Sequence, residues 1–353
     1  MNEKIKCESL NLENYNKRIN YIDILRGIGI LFMVMGHIGY GGDFDKYIHA
    51  FHMPLFILVS GYFFRVEEVN TLDFIKRKMK MLLVPYLSFG MIHYLFWFIF
   101  FGRANNIDSL IELRSFLWFN TDGNMPIAGA LWFLTCLFII EILFYFFVKV
   151  GKKEKNVAIL VIGVSIVGSI YSTIINIRLP YAIDTAMAGI GIFYVGYLLK
   201  KFSSKNKLLA KSINLSLIEV VLLLVCSTIL IFVNYSVNMR TITYGIIPLF
   251  WVNAILSTIT YWNISRYLDI CKVKFIKKIN HQLIYIGKNS IVYLCLNQIV
   301  ILISTKCLEF TIDYNSSLER LLMKVGILLI TLVGLHVASI IINKTKLRAL
   351  IGK

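Results

Sequence analysis

Charge is scarce in this chain. Only 16% of its 353 residues are Asp, Glu, Lys or Arg, and only 5 are Pro, whereas 58% are apolar or aromatic. A water-soluble domain of this length could not hide so much hydrophobic side chain, so the composition excludes most soluble enzymes. Acidic residues are the scarcer charge, 20 against 37 Lys and Arg, which leaves a formal charge of +17. In a soluble protein that excess would point to nucleic acid. Here the basic residues punctuate long apolar runs, which points to a lipid bilayer and no nucleic-acid partner. The six cysteines include no C-x-x-C pair, and only Cys307 lies near an outer connection, so no disulfide framework is expected. Internal repeats, low-complexity tracts and a soluble domain are also lacking. The first 21 residues are polar, and no small-residue cleavage site follows the first apolar run, so that run is expected to stay as a helix rather than be removed as a signal peptide.

What is present is a succession of apolar runs near the ~20 residues that a helix needs to cross a bilayer core. Ten are counted, at 22–41, 47–64, 82–101, 126–148, 157–176, 182–199, 213–234, 242–262, 283–305 and 321–342. Lys and Arg divide unequally between alternate connections. One set, including both tails and segments 65–80, 149–155, 200–211 and 263–288, holds 28, and the opposite set holds 8. Basic residues accumulate on the cytoplasmic side, so the expectation is an all-α polytopic bundle of about ten helices with both termini cytoplasmic. Residues 1–21 and 343–353 are read as cytoplasmic tails around a single transmembrane domain, 22–342. The longest connection, 102–125, is expected to carry a short interfacial helix from Ile107 to Phe119 on the outer surface.

A charged side chain inside a span costs roughly 2.5–3.5 kcal/mol on insertion scales, which makes each one a functional candidate. The first run holds Asp23, Arg26 and His37. Arg26 and His37 are separated by 11 positions, three helical turns plus about 20°, so they share one face about 16 Å apart along the axis. Asp23 is one turn from Arg26 and can pair with it. The alternative for this pair is an interfacial ion pair with Arg26 snorkelling to the membrane edge. His37 is expected about 22 Å up the first span, and His52, about 8 Å below the outer surface on the second, shares its level. His49 lies one turn nearer the water. Pro54 is expected to bend the second span, and Ser60 and Gly61 to thin it. Imidazole, with an ordinary pKa of about 6.5, is suited to exchange protons near neutrality. The H-x-x-H spacing beside Asp43 and Asp45 would permit a metal, but no Cys or Glu joins the cluster and none is predicted. His93 and His336 read as packing residues and His281 as a surface residue. Glu141 and Glu219, each in the inner third of its span, suit either a helix-to-helix bond or a site role.

In order along the chain stand Asp23, Arg26, Gly27 and His37, then Phe51 to Phe56 with Ser60 to Tyr62, Leu83 to Tyr86, Leu131 to Leu134 with Glu141, and Gly287 to Ser290 leading into Tyr293. Together these resemble the integral-membrane acyltransferase family 3, and within it the bacterial branch similar to fucose 4-O-acetylase-like enzymes. The resemblance implies a multi-pass enzyme of the bacterial cytoplasmic membrane. It would move an acyl group, usually acetyl, from cytoplasmic acyl-CoA to a hydroxyl of a cell-surface polysaccharide or a lipid-linked glycan precursor. Acetyl-CoA is then the expected co-substrate. His37 would be the general base, Arg26 would engage the donor and Asp23 would orient Arg26. His52, Ser60, Asn297 and Glu141 are candidates for substrate binding, and Arg26 with the basic run Arg65, Lys76, Arg77, Lys78 and Lys80 for holding the phosphates of CoA. Positive-inside bias alone also accounts for the basic run. In many relatives a histidine stands seven residues after the Ser of the Gly-x-x-Ser motif. Here that place is Asn297, which can hydrogen-bond an acceptor but cannot act as acid or base. The competing reading is a transporter or flippase for a lipid-linked glycan or small solute. Transporters often show related halves, and none are visible here. Oligomeric state is open in the sequence.

Overall fold

The computed structural model describes residues 20–65, 70–102, 109–118, 128–175, 177–309 and 316–353. Most of the expected N-terminal tail, including Cys7, lies outside the described residues. Among the described residues there is no strand, only an isolated antiparallel bridge between Asn238 and Thr243. The helices are α1 (Asn20–Ile38), α2 (Gly42–His49), α3 (His52–Phe63), α4 (Thr71–Phe101), α5 (Ser109–Trp118), α6 (Trp132–Gly151) and α7 (Glu154–Ile174). They continue with α8 (Ile183–Phe202), α9 (Lys207–Ser212), α10 (Leu217–Val233), α11 (Ile247–Ile270), α12 (Lys274–Lys288), α13 (Ser290–Glu309) and α14 (Ser317–Lys344).

Seven helical stretches are long and apolar enough to cross a bilayer: α1, α4, α6, α7, Pro180–Phe202, α13 and α14. The other three expected spans are helical but differ in kind. α10 is apolar and has 17 residues. α11 is 24 residues long but buries Asn253, Ser257, Thr258, Thr260, Asn263 and Ser265. Run 47–64 is divided between α2 and the 12-residue α3 at Ala50–Phe51. Pro54 does not bend a continuous span; it sits in the first turn of α3, where its missing N–H would have had no helical partner in any case. The expected outer helix is present as α5 and packs on α4. Phe116 fills the space beside Gly90, and its carbonyl accepts a 2.7 Å hydrogen bond from the Tyr86 hydroxyl. Within α4 the chain widens into a π-turn over Met79–Leu83, directly before Pro85, which cannot donate to the carbonyl one turn earlier.

α1 lies at the centre, against α3, α11, α12, α13 and α14, and α3 in turn lies on α8. Glycine sets these distances. A Cβ on Gly27 would strike the Leu283 carbonyl and one on Gly287 the Asp23 carbonyl, so α1 and α12 meet backbone to backbone. Gly61 and Gly196 do the same for α3 and α8, against the carbonyls of Phe193 and Leu58. Glu219 starts α10 as the partner of Ser216 in a capping box, with Lys211 at 2.7 Å. His93 is buried with Nδ1 donating to the Phe89 carbonyl at 2.7 Å, His336 packs on Tyr285 with ring centroids 4.4 Å apart, and His281 is exposed. Cys136, Cys226, Cys271, Cys295 and Cys307 are free thiols.

Gly61→Ala is expected to destabilise the bundle by about 1–3 kcal/mol, because the rigid Phe193 backbone cannot yield to the new methyl group. Gly163→Ala, where nothing lies within 4 Å, should be neutral or gain about 0.5–1 kcal/mol of helix propensity. Denaturation of the two variants in one detergent checks the difference. Equal stabilities would remove the close-packing account.

Candidate active site

Asp23 and Arg26 occupy the first turns of α1 and His37 its last. Packing α12 onto Gly27 turns Asp23 into the bundle and leaves Arg26 half-buried, whereas His37 at the other end of α1 is exposed. Asp23 is 2% exposed, and its Oδ1 lies 3.7 Å from Arg26 Nη1, while the Arg26 guanidinium stands 5.3 Å from the centre of the Phe63 ring. Arg26 opens into a cavity of about 380 Å³ that is also lined by Ser60, Lys78, Glu141, Lys288 and Lys353. Glu141 is 7% exposed and pairs with Lys78 at 2.9 Å. Four cations thus face one carboxylate in this cavity, with Asp23 set behind Arg26, and the balance favours an anionic ligand.

The other end of α1 borders a second cavity, of about 140 Å³, lined by Met33, His37, His49, His52, Trp132 and Arg240 among others. The His49 and His52 rings meet edge to face, 5.1 Å apart. Each donates its Nδ1–H to a backbone carbonyl one turn earlier: His49 to Asp45 at 2.6 Å, His52 to Ile48 at 2.7 Å. This fixes the tautomer, leaving Nε2 as the free nitrogen of each ring. His37 Nδ1 lies 3.5 Å from the side-chain amide of Gln298. Among the described residues no three His, Cys, Asp or Glu side chains converge closely enough to hold a metal ion.

The two cavities are neighbours. Ile30, Phe56 and Phe133 line the first, while Met33, Met53 and Trp132, within one turn of them on the same three helical segments, line the second. On the wall of the first cavity Phe56 and Phe133 meet edge to face at 6.0 Å, and the 2.9 Å clearance from a Cβ at Gly29 to the Phe56 ring shows how tightly that ring is held.

The sequence candidates divide accordingly. Asp23, Arg26, Ser60 and Glu141 gather at the first cavity, His37 and His52 at the second. Asn297 lines neither. It is fully buried, its side-chain amide donating to the Leu294 carbonyl at 2.6 Å, and the next residue, Gln298, is the one that reaches His37. Arg65, Lys76 and Arg77 are exposed and line neither cavity; their neighbour Lys78 turns inward. Sequence reasoning missed Lys288, Lys353 and Arg240 as lining residues, and it took Lys78 only as one member of the basic run rather than as the one that turns inward. A signal for Lys78 existed, since it stands one turn before Leu82 and one after Phe74, both buried.

Breaking the Lys78–Glu141 pair by Glu141→Leu should leave a buried ammonium without its partner and cost about 3–5 kcal/mol. The double variant Lys78→Met/Glu141→Leu should recover most of that loss, and a double-mutant cycle on thermal stability measures the coupling. Purely additive losses would show that the two charges do not depend on each other.

The family model for an acyltransferase domain of family 3 matches residues 19–342. Searches of curated proteins and of solved structures found no match. The matched segment takes in α1 to α14, with both cavities and every residue named around them except Lys353. The chain therefore belongs to acyltransferase family 3 and is a multi-pass helical membrane acyltransferase.

Proposed function

We propose that this protein transfers an acyl group, acetyl by preference, from acyl-CoA at the cytoplasmic face to a hydroxyl of a cell-surface polysaccharide or lipid-linked glycan precursor, in the bacterial cytoplasmic membrane. Its place is in the fucose 4-O-acetylase-like branch. The observation that carries this reading is a pair of neighbouring cavities toward opposite ends of α1, one rich in cations and the other in histidine. Charge sidedness supports the orientation. Lys78, Lys288 and Lys353 meet Arg26 at one cavity, and the segments these three lysines come from belong to the basic set. Both termini then face the cytoplasm and about ten segments cross or enter the bilayer.

In this scheme Arg26, Lys78, Lys288 and Lys353 attract the phosphates of acetyl-CoA. Glu141 limits the excess charge and fixes Lys78. The pantetheine arm extends past Ser60 and brings the thioester carbonyl to the Phe56 and Phe133 rings. The acceptor hydroxyl waits in the second cavity, where His37 takes its proton as the oxygen attacks the carbonyl carbon. The C–O bond forms, the C–S bond breaks, and the proton passes from His37 to the departing sulfur, giving the ester and free CoA. Gln298 orients His37: an amide turned with Oε1 toward the ring accepts its Nδ1–H and leaves Nε2 as the base. That oxygen is otherwise buried without a hydrogen-bond partner. His52, with Nδ1–H committed to Ile48, offers Nε2 as an acceptor for another acceptor-side hydroxyl. Asn297 bonds the Leu294 carbonyl within α13 and meets α1 through the Met33 sulfur, 3.9 Å away.

The test uses the full chain in nanodiscs with acetyl-CoA and a surface-glycan extract, following CoA thiol release and O-acetyl groups by proton NMR. Wild type should release thiol and form ester in equal amounts. His37→Ala should lower the transfer rate by about 10²–10⁴ with donor affinity retained. Arg26→Ala should act mainly on donor KM, by on the order of tenfold or more. Undiminished transfer by a stably inserted His37→Ala variant would refute the role of His37. Glycan movement across the bilayer with no ester formed would replace acyl transfer by transport.

A further inference from the structure

Arg240 sits in the connection between α10 and α11, far in sequence from every residue that marked the site, yet lines the same cavity as His37, His49 and His52. Its backbone is held from several directions. Arg178 forms a two-pronged ion pair with fully buried Asp184, Nε to Oδ2 and Nη2 to Oδ1, both 3.0 Å, and donates through Nη1 to the Arg240 carbonyl. The Thr185 hydroxyl donates to the Met239 carbonyl at 3.0 Å, and the Arg240 N–H donates to Asn238 Oδ1, also at 3.0 Å. Asn238 and Thr243 close the turn with a pair of backbone bonds of 2.7 and 3.0 Å. The Asp184 carboxylate, saturated by Arg178 and by the N–H groups of Leu179 and Thr185, is committed elsewhere.

The side chain is treated differently from its backbone. The guanidinium lies over Gly129, where a Cβ would overlap it, and that same Cβ would come within 2.9 Å of Gln298 Nε2, the amide that meets His37. Glycine at 129 thus admits Arg240 to the catalytic corner of the cavity. Yet among the described residues the guanidinium has no carboxylate, carbonyl or ring partner, and no carboxylate lines this cavity. A half-buried guanidinium with its donors open beside apolar walls is costly unless a ligand meets it. The planar fork matches carboxylate or phosphate oxygens two at a time, which neutral sugar hydroxyls do not reproduce.

We infer that Arg240 is an acceptor-binding residue and that the acceptor carries an anionic group, a carboxylate or a phosphate, close to the hydroxyl that is acylated. This rests on the acyl-transfer reading for the word acceptor, but the anion site itself does not. The ligand's anion docks on Arg240, its hydroxyl turns toward His37, and the Arg178–Asp184 pair acts as the strut that keeps the guanidinium in register.

The full chain in phosphatidylcholine nanodiscs is titrated with D-glucuronate, D-glucose 1-phosphate, inorganic phosphate and D-glucose, with Kd measured by calorimetry and by tryptophan fluorescence. Trp132 lines the cavity, so Trp132→Phe should remove the fluorescence response. Glucuronate, glucose 1-phosphate or both should bind on the order of tenfold to hundredfold more tightly than glucose; which of them does so distinguishes a sugar carboxylate from a sugar phosphate. Arg240→Gln should bring the favoured anion down to the affinity of glucose, and Arg240→Lys should keep part of the preference. Gly129→Ala, which displaces the guanidinium without removing its charge, should weaken anion binding. Glucose binding as tightly as both anionic sugars, or an Arg240→Gln variant that binds them as wild type does, would overturn the inference. Inorganic phosphate binding as tightly as the sugar phosphate would overturn the acceptor assignment in favour of a free-anion site. Anionic-sugar binding by a chain that transfers no acyl group would overturn the acyl-transfer reading and leave the anion site standing.

Discussion

The direct contact between the α1 and α12 backbones at Gly27 and Gly287 is the constraint that the rest of the structure depends on. A helix carrying Asp23, Arg26 and His37 can lie within a bilayer only if that face is turned from lipid, since hydrocarbon offers no partner for charge. Van der Waals contact between glycine surfaces draws α12 onto α1, and α11, α13 and α14 complete the enclosure. Asp23 thereby becomes buried while Arg26 keeps a path to the cavity, its guanidinium 5.3 Å from the centre of the Phe63 ring. The motif Gly-Lys-Asn-Ser, which reads in sequence as a polar interruption, is the place where two backbones touch and α12 gives way to α13.

The second arrangement follows from a helix that is too short. α3 has 12 residues, about 18 Å of helix, well below the ~30 Å of a bilayer core. The remaining depth is made up by α2, set off from α3 at Phe51, and the break lets His49 and His52 reach one cavity rather than stack along one helix. Burial of α3 on nearly all sides, from His52 through Val59 and again at Gly61 and Tyr62, holds this non-spanning element in place. The Ser60-Gly61 pair serves two ends at once. Gly61 admits the Phe193 carbonyl of α8, and Ser60 faces the Arg26 cavity.

How much of this was legible in the sequence follows from how far each inference had to travel. Arg26 and His37 share a rigid helix, so 100° per residue placed both on one face, and each lines one of two neighbouring cavities. The helical class and the apolar segments were equally direct, because backbone groups in lipid must be satisfied within the segment. Assignments between helices were harder. Asn297 stands at the spacing where relatives carry a histidine, but spacing along one helix does not fix its rotation against another, and it is the next residue, Gln298, that meets the imidazole. The same step separates Lys76 and Arg77, which are exposed, from Lys78, which is paired with Glu141. Arg240 was invisible for a different reason. A loop position is fixed by tertiary contacts, here Arg178, Asp184 and Thr185, and no periodicity in the 234–246 segment announces them.

In the proposed reading, the unequal cavities also bear on how group transfer would occur across a membrane without either substrate crossing it. The larger one, about 380 Å³, suits an extended arm, and the smaller, about 140 Å³, suits part of one sugar ring. Only the acyl carbonyl need pass between them, so the separating layer can be as thin as two aromatic rings. Phe56, packed close against Gly29, and its edge-to-face partner Phe133 are apolar, and in that reading they would keep water from the thioester. Widening this contact would admit longer acyl groups and water together. Chain-length preference and protection from hydrolysis are then two consequences of one contact, and selection on either would tend to preserve both rings.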